Sequence, residues 1–147
     1  MNTKLKYRTF IGMSLLLFLI GVCPKNVIGG PTTITDFDAS DGLASQVMIT
    51  WTNPGDINLT EVVVRRKIGL DPIDHTDGDL IYQDTIPSPG ESILFADTTV
   101  AELQTYHYAV FSMDSLNSWN DTVDAVDPDR NADIGYATGD QAGHQPL

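Results

Sequence analysis

The stretch Val100-Ala-Glu-Leu-Gln-Thr-Tyr-His-Tyr-Ala-Val-Phe-Ser-Met-Asp114 decides the fold of this chain. Successive side chains of a strand point to opposite faces, so the part from Tyr106 to Phe111 carries two rows of side chains. Both rows are mostly apolar, which predicts a central strand of a sheet rather than an edge strand. Val100 stands six residues before Tyr106. That spacing suits a tyrosine corner, in which the phenol hydroxyl bonds to the backbone upstream.

Further strands are predicted on both sides of this stretch. Short runs rich in Val, Ile, Thr, Tyr and Phe alternate with turn residues about every 8–12 residues, which is typical of an all-β sandwich. The predicted strands cover residues 34–39, 46–51, 61–67, 79–83 and 92–97, and a last strand lies between 121 and 136. Asp41-Gly42 predicts a turn. On the second strand, Val47, Ile49 and Trp51 share one face.

These motifs, taken in order, resemble a fibronectin type III domain of the prokaryotic secreted kind. They are Ile34-Thr-Asp-Phe, Val47-x-Ile49-x-Trp51, Val62-x-Val64-Arg-Arg-Lys, Ile81-Tyr82 and Tyr106-x-Tyr108-Ala-Val-Phe. The resemblance covers about residues 31–126. It implies seven antiparallel strands in an immunoglobulin-like sandwich, with Trp51, Val100, Tyr106 and Tyr108 in the structural core. Two departures are Val100, where the family usually has Leu, and a chain beyond Val126 that is longer than the family needs.

The first 29 residues read as a signal peptide. Lys4, Lys6 and Arg8 precede an uncharged apolar run from Phe10 to Val22, which at 13 residues is short for a membrane span. Cleavage near Gly29 predicts a secreted, extracellular domain over residues 30–137 and a flexible tail over 138–147. Ile20-Gly21-Val22-Cys23 offers an alternative, because it resembles a bacterial lipoprotein box in which Cys23 carries a lipid anchor. Neither scheme leaves a segment inserted in the membrane.

Composition excludes several classes of function for residues 30–147. This part has four basic and 20 acidic residues, a net charge of −16. So acidic a surface argues against nucleic acid and anionic membranes as partners. Cys23 is the sole cysteine, so the domain after the signal peptide has no internal disulfide.

Catalytic residues are not evident. The sequence has no nucleophile elbow and no Gly-rich phosphate loop, and its histidines are His75, His107 and His144. His107 alternates with tyrosines on the central strand, and His75 lies among Asp71, Asp74 and Asp77 in a polar loop. A metal cluster in that loop is the alternative to a solvated loop. We expect a protein that is not an enzyme.

The segment Asp127-Pro-Asp-Arg-Asn-Ala-Asp133 gives a candidate calcium site. Asp127, Asp129, Asn131 and Asp133 occupy the spacing of the first ligands in a calcium loop. Ala132 stands where such loops have Gly, and Thr138 where they have a bidentate Glu. A solvated acidic linker is the preferred interpretation, with no cofactor or, alternatively, weakly bound calcium.

Two surface features complete the prediction of function. Trp119, flanked by Asn117 and Asn120, is a candidate platform for a sugar or peptide, with packing over the sheet edge as the alternative. Arg65-Arg66-Lys67 is predicted on an exposed strand face, where it offsets nearby Asp residues. We expect an extracellular binding or adhesion module for a protein or glycan. The alternative is a structural subunit of a surface layer or fibre that self-associates through edge strands.

Overall fold

The computed structural model describes residues 30–126 and 130–139, and this part of the chain is an all-β sandwich of two packed sheets. Its strands are β1 (Asp38–Ala39), β2 (Asp41–Ala44), β3 (Val47–Thr52), β4 (Leu59–Lys67), β5 (Asp79–Asp84), β6 (Ser92–Asp97), β7 (Thr105–Asp114), β8 (Trp119–Asn120) and β9 (Ala132–Thr138). The leader, Cys23, Asp127 and Asp129 lie outside the described residues. Within them, there is no helix suited to crossing a membrane.

The smaller sheet has the order β1-β3-β6. Along β3 the burial alternates, because Val47, Ile49 and Trp51 face the core while the residues between them face outward. β3 and β6 pair antiparallel without interruption from Val47↔Asp97 to Thr52↔Ser92. β6 is therefore an edge strand without a bulge in its pairing with β3.

The larger sheet has the order β2-β9-β7-β4-β5, with β8 paired to β7. The prediction of a central strand around Tyr106 is therefore confirmed, since β7 lies between β9 and β4. Its inward row of Tyr106, Tyr108 and Val110 is buried. Opposite it across the sandwich, Trp51 packs edge-on against Tyr82 at 5.0 Å between ring centroids.

The chain changes sheets between β1 and β2, which corrects the predicted turn at Asp41-Gly42. β1 pairs antiparallel with β3, whereas β2 pairs parallel with β9, so the sandwich is not wholly antiparallel. Gly42 has a φ of 74°, and the register shifts between Asp41 and Leu43. A backbone conformation that suits glycine therefore occurs there, but as an irregularity in a strand.

The last strand also differs from the prediction. β9 runs from Ala132 to Thr138, so the predicted tail begins one residue too early. The hydroxyl of Thr138 donates to the carbonyl of Gly42 at 3.1 Å, which fixes this residue to β2. The rest of the predicted tail from residue 140 lies outside the described residues.

The strands define two ends of the sandwich. The upper end carries the loops 53–58 and 85–91 and the segment 115–126, and the lower end carries the loops 68–78 and 98–104. Pro31 lies at the upper end, where its carbonyl accepts a hydrogen bond from the side chain of Asn120 at 2.9 Å. β9 ends at the lower end. The two ends of the described chain therefore lie at opposite ends of the sandwich.

Candidate functional site

A second apolar cluster lies on the outer face of the larger sheet. Val63, Ala109, Phe111 and Ala132 are buried there, although they point away from the main core. Trp119 of β8 and Val123 pack against this cluster from the segment 115–126. The outward row of β7 is apolar because this segment covers it.

The loop 68–78 meets that segment through His75. The imidazole of His75 stacks on the indole of Trp119, with 4.2 Å between ring centroids and 3° between planes. Nδ1 of His75 lies 2.8 Å from the carboxylate of Asp121. The guanidinium of Arg65 donates to the carbonyl of His75. Loops from opposite ends of the sandwich are thus joined on one face.

Two further pairs hold the loop 68–78 at the lower end. Nδ1 of His107 lies 2.7 Å from Asp71, and the ammonium of Lys67 lies 2.8 Å from Asp77. These contacts disperse the side chains of the proposed Asp/His cluster among separate partners. Within residues 30–126 and 130–139 there is no group of three or more His, Cys, Asp or Glu side chains placed to hold a metal ion.

The predicted platform residues have different surroundings. Trp119 is half-buried, with its ring against His75 and the second cluster. The side-chain amide of Asn120 donates to the Pro31 carbonyl and to Thr33, and so fixes the start of the domain. Asn117 is exposed in a turn with a φ of 59°. The packing role weighed for Trp119 thus has defined contacts, and the platform for a sugar or peptide stays a prediction.

Two of the four proposed calcium ligands, Asn131 and Asp133, lie in the described part of the chain, and both form hydrogen bonds to other groups of the fold. Asn131 is buried, its Oδ1 accepts from the N–H of Asp124 at 2.7 Å, and its amide donates to the carbonyl of Thr122 at 2.6 Å. Asp133 accepts from the N–H of Ala39 at 2.9 Å. Asn131 therefore fixes the segment 122–124 against the start of β9.

Arg66 corrects the prediction of a basic cluster on one exposed face. Arg65 and Lys67 point outward, but Arg66 points between the sheets and its side chain is 11% exposed. Nη1 of Arg66 donates to Asp97 at 2.7 Å, and Asp97 is 2% exposed. The guanidinium also lies 4.6 Å above the centroid of the Tyr106 ring. An ion pair is thus built into the open side of the sandwich, between β5 and β6.

The surroundings of this ion pair shift the pKa of Asp97 and of the neighbouring Tyr108. Burial by itself would raise the pKa of Asp97, but hydrogen bonds from Thr99 and Arg66 outweigh it and hold the pKa below its usual value. Burial and the nearby Asp97 carboxylate raise the pKa of Tyr108, whose hydroxyl donates to Asp97 at 3.2 Å. Near neutral pH, Asp97 therefore stays ionised and Tyr108 stays neutral.

The four predicted core residues lie in the main cluster. Trp51, Tyr106 and Tyr108 are buried, and Val100 packs against them. The hydroxyl of Tyr106 accepts a hydrogen bond from the N–H of Ala101 at 3.1 Å. This is the contact expected of a tyrosine corner, and it ties the loop 98–104 to β7.

Comparisons with known proteins place few limits on the function. No family model matches the chain, and no curated protein matches it. Among solved structures, the chain is similar to the Clostridium perfringens spore cortex lytic enzyme SleM, with 13% identity and a TM-score of 0.48. The similarity covers 73% of this chain but 28% of the enzyme, so the chain spans about a quarter of that protein's length.

Proposed function

We propose that this chain is a non-catalytic, extracellular binding module of the fibronectin type III kind. The tyrosine corner supports this proposal, and so does the division of strands into sheets. We count β1 and β2 as one interrupted strand and leave out the short β8. The small sheet then has three strands and the large sheet has four, and the interrupted first strand pairs with both sheets. The leader sequence supports secretion, with lipid attachment at Cys23 as the alternative.

The observation that carries the proposed binding role is the loop 68–78. Ile68, Leu70 and Ile73 are 64%, 72% and 70% exposed in this loop, although large aliphatic side chains are usually buried. These three side chains lie within six consecutive residues, and exposed apolar patches in soluble proteins often mark a contact surface. We place the binding surface on this loop rather than on Trp119.

The contacts beneath the loop favour this assignment. The pairs Asp71–His107 and Asp77–Lys67 and the bonds from Arg65 fix the loop to β4 and β7. A loop that is already ordered loses little conformational entropy when a partner binds. Its exposed side chains are thus presented on a fixed frame.

The position of the loop also suits a tethered protein. Pro31, near the start of the described chain, lies at the upper end beside Asn120, whereas the loop 68–78 lies at the lower end. Attachment through the preceding segment would therefore direct the loop away from the cell. Because residues 30–147 carry a net charge of −16, we infer a protein partner with an apolar groove and a basic rim.

A cell-binding assay tests this proposal. The labelled full chain is incubated with intact cells of its own source, beside a triple variant, Ile68→Ser, Leu70→Ser and Ile73→Ser. The matched control carries Ile57→Ser, Ile86→Ser and Leu116→Ser, which remove exposed aliphatic side chains outside the loop. We expect the loop variant to lose binding and the control to keep it. Equal binding by all three proteins would contradict the proposed surface. If glycosidase treatment of the cells abolishes binding of the wild type, the partner is a glycan and not a protein.

A second candidate function is that of a subunit in an extracellular assembly. The observation that favours it is β6, a regular edge strand whose outer side has no strand partner in the described part of the chain.

A further inference from the structure

The edge strand β6 differs from the other edges of the sandwich. It is six residues long, pairs with β3 without a register shift, and has no charged side chain between Ser92 and Ala96. By contrast, β5 carries Asp79 and Asp84 and shares a register shift with β4. β2 is short and irregular. Charges, bulges and short length protect edges from pairing with another chain, so β6 is the unprotected edge.

The hydrogen-bonding pattern identifies which backbone groups of β6 face outward. The N–H of Asn53 donates to the carbonyl of Glu91, so the carbonyl of residue 91 points toward β3. Because backbone direction alternates along an antiparallel strand, Ser92, Leu94 and Ala96 direct their N–H and C=O groups away from β3. Three donors and three acceptors are thus arranged in a row on the free edge.

We propose that two copies of this chain pair through β6, antiparallel, about a two-fold axis at Leu94. In this register Leu94 lies opposite its counterpart, and Ser92 lies opposite Ala96. All the outward donors and acceptors of both strands then form hydrogen bonds, six in total by this alternation. The two small sheets become one continuous six-stranded sheet. A closed two-fold contact uses the same edge on both copies.

The side chains along the edge suit this register. Leu94 is 68% exposed on the outer face of the small sheet. Because directly opposed residues share a face, the two Leu94 side chains meet on that outer face. Ile93 and Phe95, half-buried at the open side of the sandwich, become opposed on the inner face. No like charges oppose each other between Ser92 and Ala96. At each end of the pairing Glu91 lies opposite Asp97 of the other copy, and that carboxylate is 2% exposed and paired with Arg66.

This inference gives the second candidate function a defined partner, a second copy, and it is independent of the loop 68–78. Leu94 lies on the small sheet, whereas the loop packs on β4 and β7 of the large sheet. A dimer through β6 leaves the loop accessible on both copies. Loss of cell binding in the loop variant would therefore leave the dimer unaffected, and the two proposals fail separately.

The test measures the mass of the full chain, produced with its own N-terminal segment, by sedimentation velocity from micromolar to millimolar concentration. We expect a concentration-dependent dimer in the wild type. Leu94→Lys places like charges in direct opposition and should weaken the dimer at least about tenfold. Leu80→Lys, on the edge strand β5, is the matched control and should leave the dimer unchanged. Leu94→Glu should also be monomeric, but an equimolar mixture with Leu94→Lys should restore a dimer.

Hydrogen exchange of the wild type provides a measurement that needs no variant. The amides of Ser92, Leu94 and Ala96 should become more protected as the concentration rises, while the amides of β5 should not change. A wild type that stays monomeric at every concentration would overturn the proposal. The edge of β6 would then be available for pairing with a strand of another protein. It is equally overturned by a dimer that Leu80→Lys disrupts and Leu94→Lys does not, or by a mixture that stays monomeric.

Discussion

At the scale of single residues, Asp97 and Asp79 both pair with the guanidinium of Arg66 but differ in burial. Arg66 lies 2.7 Å from Asp97 and 3.3 Å from Asp79, but the two carboxylates are 2% and 74% exposed. Removing one partner of a buried pair leaves an uncompensated charge. Asp97→Ala should therefore destabilise the protein by about 3–5 kcal/mol, and Asp79→Ala by less than about 1 kcal/mol. Urea unfolding measures both, and equal losses would contradict the assigned burial.

The same carboxylate makes stability depend on pH. Hydrogen bonds from Thr99 and Arg66 overcome the effect of burial and lower the pKa of Asp97 in the folded state. A lowered pKa stabilises the fold above the unfolded value of about 3.9, and this contribution is lost as the pH falls through the folded pKa. The free energy of unfolding should thus decrease between about pH 5 and pH 1, and decrease less in Asp97→Asn. Identical pH profiles for both proteins would contradict this role.

The sequence contained the signal for this ion pair. Arg66 continues the inward row of Val62 and Val64, and Asp97 continues the row of Ile93 and Phe95. Alternation alone thus places both charges between the sheets. Grouping Arg66 with its neighbours Arg65 and Lys67 as one exposed cluster obscured this pattern. Their mutual approach was not predictable, because β4 and β6 belong to different sheets.

At the scale of elements, the strands with regular alternation were predictable and the covering loops were not. β3 alternates in burial and β7 is a run of residues apolar on both faces, and both patterns are properties of the local sequence. β2 has four exposed residues and an irregular register, so its sequence gives no strand pattern. The contact of His75 with Trp119 joins residues far apart in the chain, and no local spacing specifies it.

Asn131 should hold the covering segment 115–126 in place. Its buried side chain bonds to backbone groups of Thr122 and Asp124. In Asn131→Ala, those groups lose their partners, at a cost of about 1–3 kcal/mol each for groups that stay buried. We expect lower stability in urea and faster hydrogen exchange in the segment 119–124. Ser115→Ala, at an exposed position of the same segment, is the control. Unchanged exchange in Asn131→Ala would show that Trp119 packing alone holds the segment.

At the scale of the whole molecule, the charge of residues 30–147 opposes self-association. Two copies that each carry a net charge of −16 repel one another, and salt screens this repulsion. The uncharged edge of β6 is therefore a local region where copies can approach. Long-range charge and the local edge act in opposite directions, so salt should strengthen rather than weaken the proposed dimer.

Melting temperatures measured with calcium and with chelator test whether the acidic segment 127–133 binds an ion that stabilises the whole fold. A hard cation requires six to eight oxygens, but the side-chain oxygen of Asn131 already accepts from Asp124, and Asp133 already pairs with Arg130 at 3.2 Å. We therefore expect the same melting temperature in excess calcium and in chelator. A tight site at 100 times its dissociation constant would instead add about 2.7 kcal/mol to stability.

The deciding comparison for calcium is between two double variants of the full chain. Asp129→Ala with Asp133→Ala removes two proposed ligands, and Asp84→Ala with Glu91→Ala removes the same charge elsewhere. A rise in melting temperature with calcium that the first pair abolishes and the second retains would contradict our expectation. It would show that the ion displaces Arg130 from Asp133 and couples β9 to the preceding loop.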